Sequence, residues 1–320
     1  MSKPFIDVAA GLILKPDGAL LLGQRPADKP WPGWWELPGG KIEPGETVLQ
    51  ALARELKEEL DIEVTRATPW VTYVHEYPKN IVRLAFCKVT EWNGNPTGLE
   101  GQNLAWVNPL APIDVGPLLP ATEPPLRWLK LPNQYLITSI GNPGNLSAYL
   151  DQLNSALDRG VRLVQFREPA WPAAEQTTSL RHAFEQVLSS CRAAGAQCLV
   201  NSIHPHTWWE QADGVHLRAR DMQNFNCNTL PKHCLCGASV HNQAELKQAK
   251  DANADFVVIG HVCPTPSHLG ENAMGWDQFA ALAAQAGRPA FAIGGQSPKT
   301  IETAQTHGAH GIAAIRGLLP

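Results

Sequence analysis

The sequence predicts an α/β protein of two domains. Its length is 320 residues, whereas a single domain usually contains about 100–200 residues. A proline-rich stretch near residue 131 separates two different patterns, and strand-like and helix-like segments alternate regularly after it. Hydrophobic residues make up 44% of the chain, which is enough to fill a core in each part. We therefore expect one domain over residues 1–131 and a second over residues 132–320.

The first domain is predicted to contain strands and turns around one strong helix. Apolar runs at residues 6–14 and 19–22 flank Lys15-Pro16-Asp17-Gly18, a turn sequence in which proline presets φ and glycine tolerates positive φ. The prolines between residues 117 and 132 predict a short terminal helix and then a linker. Further strands are expected at three later segments, residues 70–75, 81–89 and 104–107.

The second domain is predicted to be a (β/α)8 barrel. Strand candidates follow one another with helix-length segments between them, as that fold requires. Residues 131–320 are fewer than the roughly 250 that are typical of the fold. The periodicity therefore fits a compact barrel or an open doubly wound sheet. The strand candidates begin near residues 135, 161, 197, 214, 235, 255, 289 and 311.

Composition and charge exclude several classes of function. Charged residues make up 18% of the chain and the net charge is -4, which argues against a protein that coats duplex DNA or binds membranes through a polybasic face. No stretch reaches the ~18 apolar residues that span a bilayer, and Asp7 interrupts the early apolar run, so no secretory signal is expected. The seven cysteines, an odd number in a long chain, are expected to be reduced thiols in a cytoplasmic protein.

The strongest helix of the first domain carries a cluster of acidic residues. Thr47 followed by Gln50 is a capping-box signature, so the helix is predicted to start there and to run to about residue 62. A buried stripe is expected from Leu49, Leu52, Ala53, Leu56 and Leu60. At about 100° per residue, Glu55, Glu58 and Glu59 share one edge beside this stripe. Like charges at this spacing repel, and an oxygen-binding cation such as Mg²⁺ would relieve the repulsion.

Two interpretations of the acidic edge are open on the helix alone: a metal site, or a solvated helix face. The glycines before the helix favour the metal site. Gly39 and Gly40 would let the backbone pass close to a ligand, and a helix N-terminus favours anions, so phosphate and metal would be adjacent.

This segment resembles the Nudix box, G-x5-E-x7-R-E-U-x-E-E-x-G-U, in which U is a bulky aliphatic residue. One position departs from the motif, because Asp61 stands where the family has its final glycine. Asp tolerates a left-handed helix cap, so we expect a modest loss of stability and an intact site. The matching residues are Gly40, Glu46, Arg54, Glu55, Leu56, Glu58, Glu59 and Ile62.

Within that family, residues 4–130 are similar to the MutT-type 8-oxo-dGTP diphosphatases, through residues 36–43, 100–102 and 120–124. The resemblance implies an α/β/α sandwich with a mixed sheet, and a hydrolase that sanitises the nucleotide pool with Mg²⁺, or alternatively Mn²⁺. Its partner would be a small nucleotide, not duplex nucleic acid or a membrane. The implied metal ligands are Glu55, Glu58, Glu59, Glu100 and the Gly39 carbonyl. The implied substrate contacts are Arg25 for phosphate, and Glu36, Leu37, Pro38 and Thr122 for the base.

Departures from the MutT pattern leave the hydrolase assignment stronger than the base assignment. Thr122 replaces an asparagine that reads oxidised guanine, and Asn80 replaces an arginine; a hydroxyl cannot reproduce a bidentate amide contact. The glutamate that accepts a proton from water is either Glu55 or Glu100. Arg54 either orients Glu46 or Glu55, or forms only a surface ion pair.

In the second domain, two glycine pairs at strand ends predict a phosphate site. Gly294-Gly295 follows the seventh strand candidate and Arg316-Gly317 the eighth, where barrels commonly bind phosphate. Residues 133–317 resemble thiamine phosphate synthase and its relative, the thiazole tautomerase, which implies a thiazole or thiamine phosphate ligand. The matching segments are residues 164–168, 212–217, 239–241, 260–262, 291–295 and 311–315.

Three departures make the synthase reaction doubtful: Pro169 and His268 replace lysines, and Ser202 replaces a metal-binding aspartate, which leaves Asp221 as a lone carboxylate. The resemblance then favours the tautomerase, with His241 as its acid–base group. The alternatives are a structural histidine at 241, a barrel that binds a phosphate ligand without catalysis, and a bifunctional thiamine-pathway enzyme.

Two other side-chain groups are assigned structural roles. Cys227, His233, Cys234, Cys236 and His241 are close in sequence, but they lack paired Cys-x-x-Cys spacing, so structural zinc is not expected. Trp31, Trp34 and Trp35 are expected in the core or in a lid.

Overall fold

The chain forms two compact units in the computed structural model. These are Met1–Leu131 and Pro132–Pro320. The structure describes residues 3–172, 178–265, 270 and 272–320.

Within residues 3–131, the first unit contains a mixed four-stranded sheet in the order β4-β1-β6-β5 and a three-stranded sheet in the order β3-β2-β7. Strand β1 runs parallel to β6 and antiparallel to β4, so the mixed sheet that the resemblance implied is confirmed. The strands expected at residues 70–75 and 81–89 are the middle of a longer hairpin, β5–β6. The elements are β1 Phe5–Ile13, β2 Leu20–Gln24, β3 Trp35–Glu36, β4 Gly39–Lys41, α1 Val48–Leu60, β5 Glu63–Glu76, β6 Ile81–Asn93, β7 Leu104–Val107 and α2 Glu123–Trp128.

Helix α1 has the caps that the sequence predicts. The Thr47 side chain accepts from the Gln50 backbone N–H at 3.3 Å, and the Gln50 side chain accepts from the Thr47 N–H at 2.9 Å. Asp61 ends the helix in the left-handed region, at φ 54°, with its N–H donating to the Lys57 carbonyl. The departure from the motif glycine is therefore accommodated as expected.

The buried face of α1 differs from the predicted stripe at Leu49, and Ala53, also predicted for the stripe, is only half-buried. Leu52, Leu56 and Leu60 are buried against β1 and β6, as predicted. The prediction that Leu49 is buried is wrong: its side chain is 40% exposed, and Ala51 is buried instead. The reason is that the core begins at Ala51, while the first turn of the helix, residues 48–50, stays at or near the surface.

The second unit is a closed barrel, which decides between the two folds that the periodicity allowed. In the part of residues 132–320 that the structure describes, eight parallel strands pair in sequence order and the last pairs with the first. The strands are β8 Gln134–Ile137, β9 Leu163–Phe166, β10 Gln197–Asn201, β11 Gly214–Leu217, β12 Leu235–Val240, β13 Phe256–Gly260, β14 Ala290–Ile293 and β15 Gly311–Ala314. The helices are α3 Leu146–Asp158, α4 Ser179–Ala193, α5 Gln243–Asp251, α6 Gly275–Ala283 and α7 Ile301–Thr306.

The small size of the barrel has a structural explanation. Its strands have only four to six residues. The connections β10–β11 and β11–β12 contain turns and short 3₁₀ segments in place of the expected α-helix. Three aromatic rings fill the interior: Tyr135, Phe256 and Phe291 are fully buried, with Tyr135 edge-on to Phe256 at 5.5 Å between ring centroids.

The cysteines depart from expectation at one pair. Cys227 and Cys236 form a disulfide, with their Cα atoms 6.1 Å apart, so the expectation that every thiol is reduced is wrong here. The turn that carries Cys227 lies beside β12, which carries Cys236, and this contact brings two cysteines together that sequence spacing did not pair. Within the described residues, no helix is both long enough and apolar enough to cross a membrane.

Candidate functional site

A narrow cleft in the first unit collects most of the predicted hydrolase residues. It lies where the end of β2, the β3–β4 connection, the last turn of α1 and the loop before β7 meet. The side chains that give it chemistry are Arg25, Lys29, Glu36, Glu59, Glu100 and Gln102, with the backbone of Pro38 and Gly39.

Glu59 points into this cleft from the last turn of α1. Its Oε2 accepts a hydrogen bond from the Gly39 backbone N–H at 3.1 Å. Burial raises the pKa of the Glu59 carboxyl to about 7, against the opposing effect of that hydrogen bond. The nearby donor and cation therefore do not fully compensate the negative charge of the buried Glu59 carboxylate.

Packing requires glycine at both positions 39 and 40. A Cβ on Gly39, which has φ 140°, would lie 2.2 Å from the Ala9 carbonyl oxygen. A Cβ on Gly40 would lie 2.2 Å from the Glu55 carboxyl carbon. The glycines thus let β4 approach β1 and let Glu55 lie directly against the loop.

Arg54 orients two acidic side chains. Its Nε and Nη2 donate to the two Glu46 oxygens at 2.8 and 2.9 Å, and its Nη1 donates to Glu55 Oε1 at 2.8 Å. Its Nη2 also donates to the Lys41 carbonyl at 3.0 Å. The Arg54 hydrogen bonds hold the pKa of Glu46 at about 2. Both orienting roles considered for Arg54 are therefore present in one side chain.

The other two predicted metal ligands are more exposed. The Glu58 side chain is 61% exposed on the outer side of the helix. Glu100 is exposed at the cleft rim, where the Lys29 ammonium pairs with it. Among the described residues, no group of three or more His, Cys, Asp or Glu side chains is arranged to hold a metal ion. Of the helix carboxylates, Glu55 and Glu58 both contact Arg54 Nη1, at 2.8 and 3.4 Å, whereas Glu59 points into the cleft.

Arg25 and Glu36 form an ion pair on the opposite wall. Arg25 Nη1 lies 2.6 Å from both Glu36 oxygens, and Arg25 Nε donates to the Pro30 carbonyl at 2.6 Å. Burial raises the pKa of Glu36, although Arg25 opposes this effect. Arg25, the predicted phosphate contact, and Glu36, a predicted base contact, therefore neutralise each other.

The remaining predicted substrate contacts are less accessible. Leu37 and Pro38 are buried, and the Pro38 carbonyl oxygen accepts a hydrogen bond from the Gly11 N–H. Thr122 is also buried, in a short turn where its N–H donates to the Leu119 carbonyl, and it is absent from the cleft lining among the described residues. Of the tryptophans, Trp35 is buried and Trp31 is exposed.

Lys29 and Gln102 are cleft residues that the sequence analysis missed. Burial alone would lower the pKa of Lys29, but the ion pair with Glu100 and the nearby Glu59 raise it overall. Gln102 Nε2 donates to the Glu59 carbonyl at 2.9 Å, and its Oε1 accepts from the Glu100 N–H at 2.8 Å. Gln102 lies in a segment that the resemblance had already marked, whereas Lys29 lies in a loop that no spacing rule singles out.

The cleft fits a divalent cation by the chemistry of its donors. Glu59, Glu100 and the Gly39 carbonyl offer oxygen atoms in the cleft, and Glu55 lies next to it against Gly40; oxygen atoms are the ligands that Mg²⁺ prefers. The raised pKa of Glu59 marks a place where an added cation would be stabilised.

The second unit has a larger cavity, of about 630 Å³, at the carboxyl ends of the barrel strands. The cavity is lined by Gly294, Gly295 and Gly317, the glycines that a phosphate site would need to have close together. A Cβ on Gly294 would lie 2.6 Å from the His261 Cβ, and one on Gly317 would lie 2.1 Å from the Gln296 carbonyl oxygen. These glycines allow the loops after β13, β14 and β15 to pack side by side at the rim.

The charged residues that line the cavity are cationic. Arg167, Arg218 and Arg316 are in its wall, and no acidic side chain is, among the residues that the structure describes. Burial lowers the pKa of Arg167 more than the nearby Glu168 raises it. Glu168 itself is turned into the protein, where it accepts from the Thr138 hydroxyl at 2.6 Å and from backbone N–H groups of the following loop.

The carboxylate that the sequence left as a possible metal ligand of the barrel is already engaged. Asp221 Oδ2 accepts from Arg218 Nε and from the Ser202 hydroxyl, both at 2.5 Å. Burial opposes these contacts, but together they hold the pKa of Asp221 below its ordinary value. A guanidinium and a hydroxyl thus occupy the oxygen that a metal would use. His268 lies outside the described residues.

His241 lines the cavity but is 53% exposed, and its Nδ1 lies 2.7 Å from Glu245 Oε2. A second histidine in the lining, His216, was not singled out as an acid–base candidate. It is 2% exposed, and burial, with a smaller effect of Arg167, lowers its pKa to about 3. The only sequence signal for its importance was its position at the end of a barrel strand.

Comparisons with known proteins separate along the same two units. A family model described as thiamine monophosphate synthase matches residues 134–318, and one described as NUDIX domain matches residues 4–129.

Similar proteins are known for each unit. An 8-oxo-dGTP diphosphatase of Haemophilus influenzae is 42% identical over 121 residues, which are 38% of this chain and 88% of that protein. A CTP pyrophosphohydrolase of Escherichia coli is 42% identical over 123 residues, covering 36% of this chain and 90% of the relative. A thiamine-phosphate synthase of Thermosynechococcus vestitus is 31% identical over 195 residues, covering 61% of this chain and 53% of the relative, so the match spans about half of that protein.

Proposed function

The chain belongs to the thiamine monophosphate synthase family and carries a NUDIX domain in its first unit, and on this premise we propose that the first unit is a Mg²⁺-dependent 8-oxo-dGTP diphosphatase of the nucleotide pool. The observation that carries the proposal is the half-buried Glu59 carboxylate, short of positive charge, beside the Gly39–Gly40 loop and Glu100. An 8-oxo-dGTP diphosphatase and a CTP pyrophosphohydrolase are each 42% identical to this unit.

The reaction is substitution at phosphorus. Water adds its oxygen to a phosphorus atom, the phosphoanhydride bond between the α and β phosphates breaks, and a nucleoside monophosphate and pyrophosphate leave. Glu55, with its Oε1 fixed by Arg54, would accept the proton of this water on its free Oε2. We prefer it to Glu100, because Glu100 is exposed and its carboxylate pairs with Lys29.

The chain's own residues would also bind the substrate and the metal. Glu59, Glu100 and the Gly39 carbonyl would hold the metal, and Glu58 would join them through its exposed carboxylate. When bound, Mg²⁺ or Mn²⁺ neutralises phosphate oxygens and lowers the pKa of a bound water. Arg25 would exchange part of its contact with Glu36 for a phosphate oxygen.

A CTP pyrophosphohydrolase is the second candidate. Thr122 offers a buried hydroxyl where an amide would be needed to read oxidised guanine, and a relative that acts on CTP is as similar as one that acts on 8-oxo-dGTP. The two candidates share their phosphate chemistry and differ only in the base.

Steady-state hydrolysis by the full chain with Mg²⁺ tests both candidates. We expect kcat/KM for 8-oxo-dGTP to exceed that for dGTP and CTP by at least about tenfold. A preference for CTP would select the second candidate. Hydrolysis of none of the three would reject the proposed function of this unit.

For the barrel, we infer a small phosphate-bearing ligand, of the thiazole or thiamine phosphate kind. Three arginines and a glycine-rich rim in a 630 Å³ cavity without acidic lining among the described residues support an anion there. The engagement of Asp221 by Arg218 and Ser202 supports binding without a metal. His241 would serve as the acid–base group if the ligand is also tautomerised; loss of that activity in His241→Ala, with ligand binding retained, is the test.

A further inference from the structure

Lys29 is a charged residue of the hydrolase cleft that the proposed reaction leaves without a role. Its ammonium pairs with the carboxylate of Glu100, which is 71 residues away in the sequence. The two side chains are 36% and 42% exposed, and an exposed lysine–glutamate pair contributes little to stability. Both residues line the cleft, and Lys29 is close enough to Glu59 for their charges to interact. This position points to a role in binding rather than in stability.

The two loops that carry the pair are held in place by hydrogen bonds. On the lysine side, the Arg25 N–H donates to the Trp34 carbonyl at 2.8 Å, and the Gly33 N–H donates to the Arg25 carbonyl at 2.9 Å. On the glutamate side, Gln102 Nε2 donates to the Glu59 carbonyl at 2.9 Å. The lysine side chain itself has a flexible four-carbon stem, so its ammonium can change partner without a shift of the backbone.

The charges of the cleft show why such a change of partner is needed. In the part of the chain that the structure describes, three carboxylates of the lining face two basic side chains. Arg25 pairs with Glu36 and Lys29 with Glu100, while Glu59 accepts from the Gly39 backbone N–H. A divalent cation held by Glu59 and Glu100 would repel the Lys29 ammonium and compete with it for Glu100. The ammonium would then need another anion.

The course of the substrate across the cleft brings that anion to Lys29. Arg25 pairs with Glu36, a predicted base contact, whereas Lys29 pairs with Glu100, a proposed metal ligand. A nucleotide with its base near Glu36 and its phosphates at the metal therefore passes Arg25 first and reaches Lys29 with its terminal phosphates. An ammonium group, with three donors and a compact charge, is suited to bind them.

We propose that Lys29 is a specificity-determining residue with two successive partners. In the metal-free cleft it neutralises Glu100, and in the loaded cleft it binds the terminal phosphate of a nucleoside triphosphate. Lys29 thereby holds back metal binding until the nucleotide arrives, and it favours triphosphates over diphosphates. The inference rests on the proposed function of the first unit, from which it takes the metal and the phosphate chain.

The first test measures metal binding by the full chain without nucleotide. Mn²⁺ is titrated and followed by electron paramagnetic resonance, and the site of the cleft is identified as the one that Glu59→Gln removes. Lys29→Met keeps the length of the side chain and removes its charge. The variant should bind Mn²⁺ at this site about three- to tenfold more tightly than the wild type, because the ammonium no longer competes for Glu100.

The second test compares 8-oxo-dGTP with 8-oxo-dGDP, which differ by the terminal phosphate. Lys29→Met should lower the ratio of their kcat/KM values about three- to tenfold, as the loss of one charge-assisted hydrogen bond would. Lys29→Arg keeps the charge and should restore most of the ratio. CTP and CDP give the same comparison if the cytidine nucleotide is the better substrate.

Lys3→Met is the matched control. Lys3 Nζ pairs with Glu76 Oε1 at 2.6 Å across 73 residues of sequence, and its side chain is 35% exposed. Lys3 is not part of the cleft lining among the described residues. Its substitution should change neither the Mn²⁺ affinity nor the ratio of the two nucleotides.

The outcomes separate the role of Lys29 from the proposed function. Tighter Mn²⁺ binding together with a lower ratio in Lys29→Met supports the proposal. If either quantity is unchanged, or changes equally in Lys3→Met, the role of Lys29 is overturned while the metal site and the hydrolysis stand. If no Mn²⁺ site depends on Glu59 and neither nucleotide is hydrolysed, the proposed function of the first unit is rejected, and the role of Lys29 with it.

Discussion

The cleft of the first unit and the cavity of the barrel use polar groups in opposite ways. In the cleft, charged side chains pair with one another: Arg25 with Glu36, and Lys29 with Glu100. In the cavity, the charged lining is cationic, and buried polar side chains hydrogen-bond one another, as Gln165 does to Tyr135 and Tyr135 to His216. The cleft is thus a site whose charges must be rearranged by added ions, whereas the cavity is organised before its ligand arrives.

Two glutamates show the difference within one residue type. Glu59 in the cleft accepts one backbone hydrogen bond, and burial raises its pKa to about 7. Glu168 in the barrel accepts from the Thr138 hydroxyl and from the N–H groups of Ile140 and Gly141. A carboxylate with few donors is suited to binding a cation, and one with a full set is suited to holding a loop in place.

The largest effect is expected from Glu59→Gln. Loss of a metal ligand removes several kcal/mol of transition-state stabilisation, so kcat/KM for nucleotide hydrolysis should fall roughly a thousandfold. Glu63→Gln, at an exposed position on β5, is the matched control and should keep full activity. Comparable activity in the two variants would remove Glu59 from the site, and with it the difference between the cleft and the cavity.

Glu168→Gln should lower the free energy of unfolding of the barrel by about 2–3 kcal/mol. One half of the new amide would present N–H groups to backbone N–H donors, which would lose their acceptor. Native-state hydrogen exchange of the barrel strands measures the change. Glu59→Gln, which keeps an oxygen for its single donor, should change the stability of its own unit by less than about 0.5 kcal/mol. An equal loss in both variants would contradict the comparison.

Histidine burial should make the barrel sensitive to acid. Burial first, and Arg167 and Arg218 second, lower the pKa of His204 to about 4, from 6.5 in the unfolded chain. This contribution to stability is present above pH 6.5 and is lost as the pH falls toward 4. Between pH 7 and pH 5 it amounts to about 2 kcal/mol.

His204→Gln isolates that contribution, because the Gln oxygen can still accept from the Glu168 N–H, as His204 Nε2 does at 3.1 Å. The variant should lose about 2 kcal/mol less stability than the wild type between pH 7 and pH 5, by hydrogen exchange of the barrel strands. Identical pH dependence in the two proteins would show that His204 is not held neutral.

The smallest effect is expected from Leu49→Ala. Since Leu49 is 40% exposed, its truncation should change the free energy of unfolding by less than about 0.5 kcal/mol. Leu52→Ala, a fully buried neighbour on the same helix, should cost about 2–5 kcal/mol. Chemical denaturation of the two variants compares them directly, and similar costs would show that the helix is packed on the face that the sequence predicted.

The sequence by itself determined those features that depend on short stretches of chain. The capping box at Thr47, the left-handed cap at Asp61 and the pattern of eight barrel strands were all predictable, because each depends on neighbours within a few residues or on a repeated period. The Nudix-box carboxylates were recognised for the same reason, as one motif on one helix.

Only the tertiary structure decided which of these groups act together. Lys29 meets Glu100 across 71 residues of sequence, and Tyr135 meets His216 across 81. His241 was chosen from the sequence as the proton-transfer group of the barrel, yet it is exposed, while His216 is buried and directed at Ser239. Spacing along the chain reports periodicity, but burial and long-range pairing set the charge and direction of a polar group, and these arise only when distant strands close into a barrel or a loop folds over a cleft.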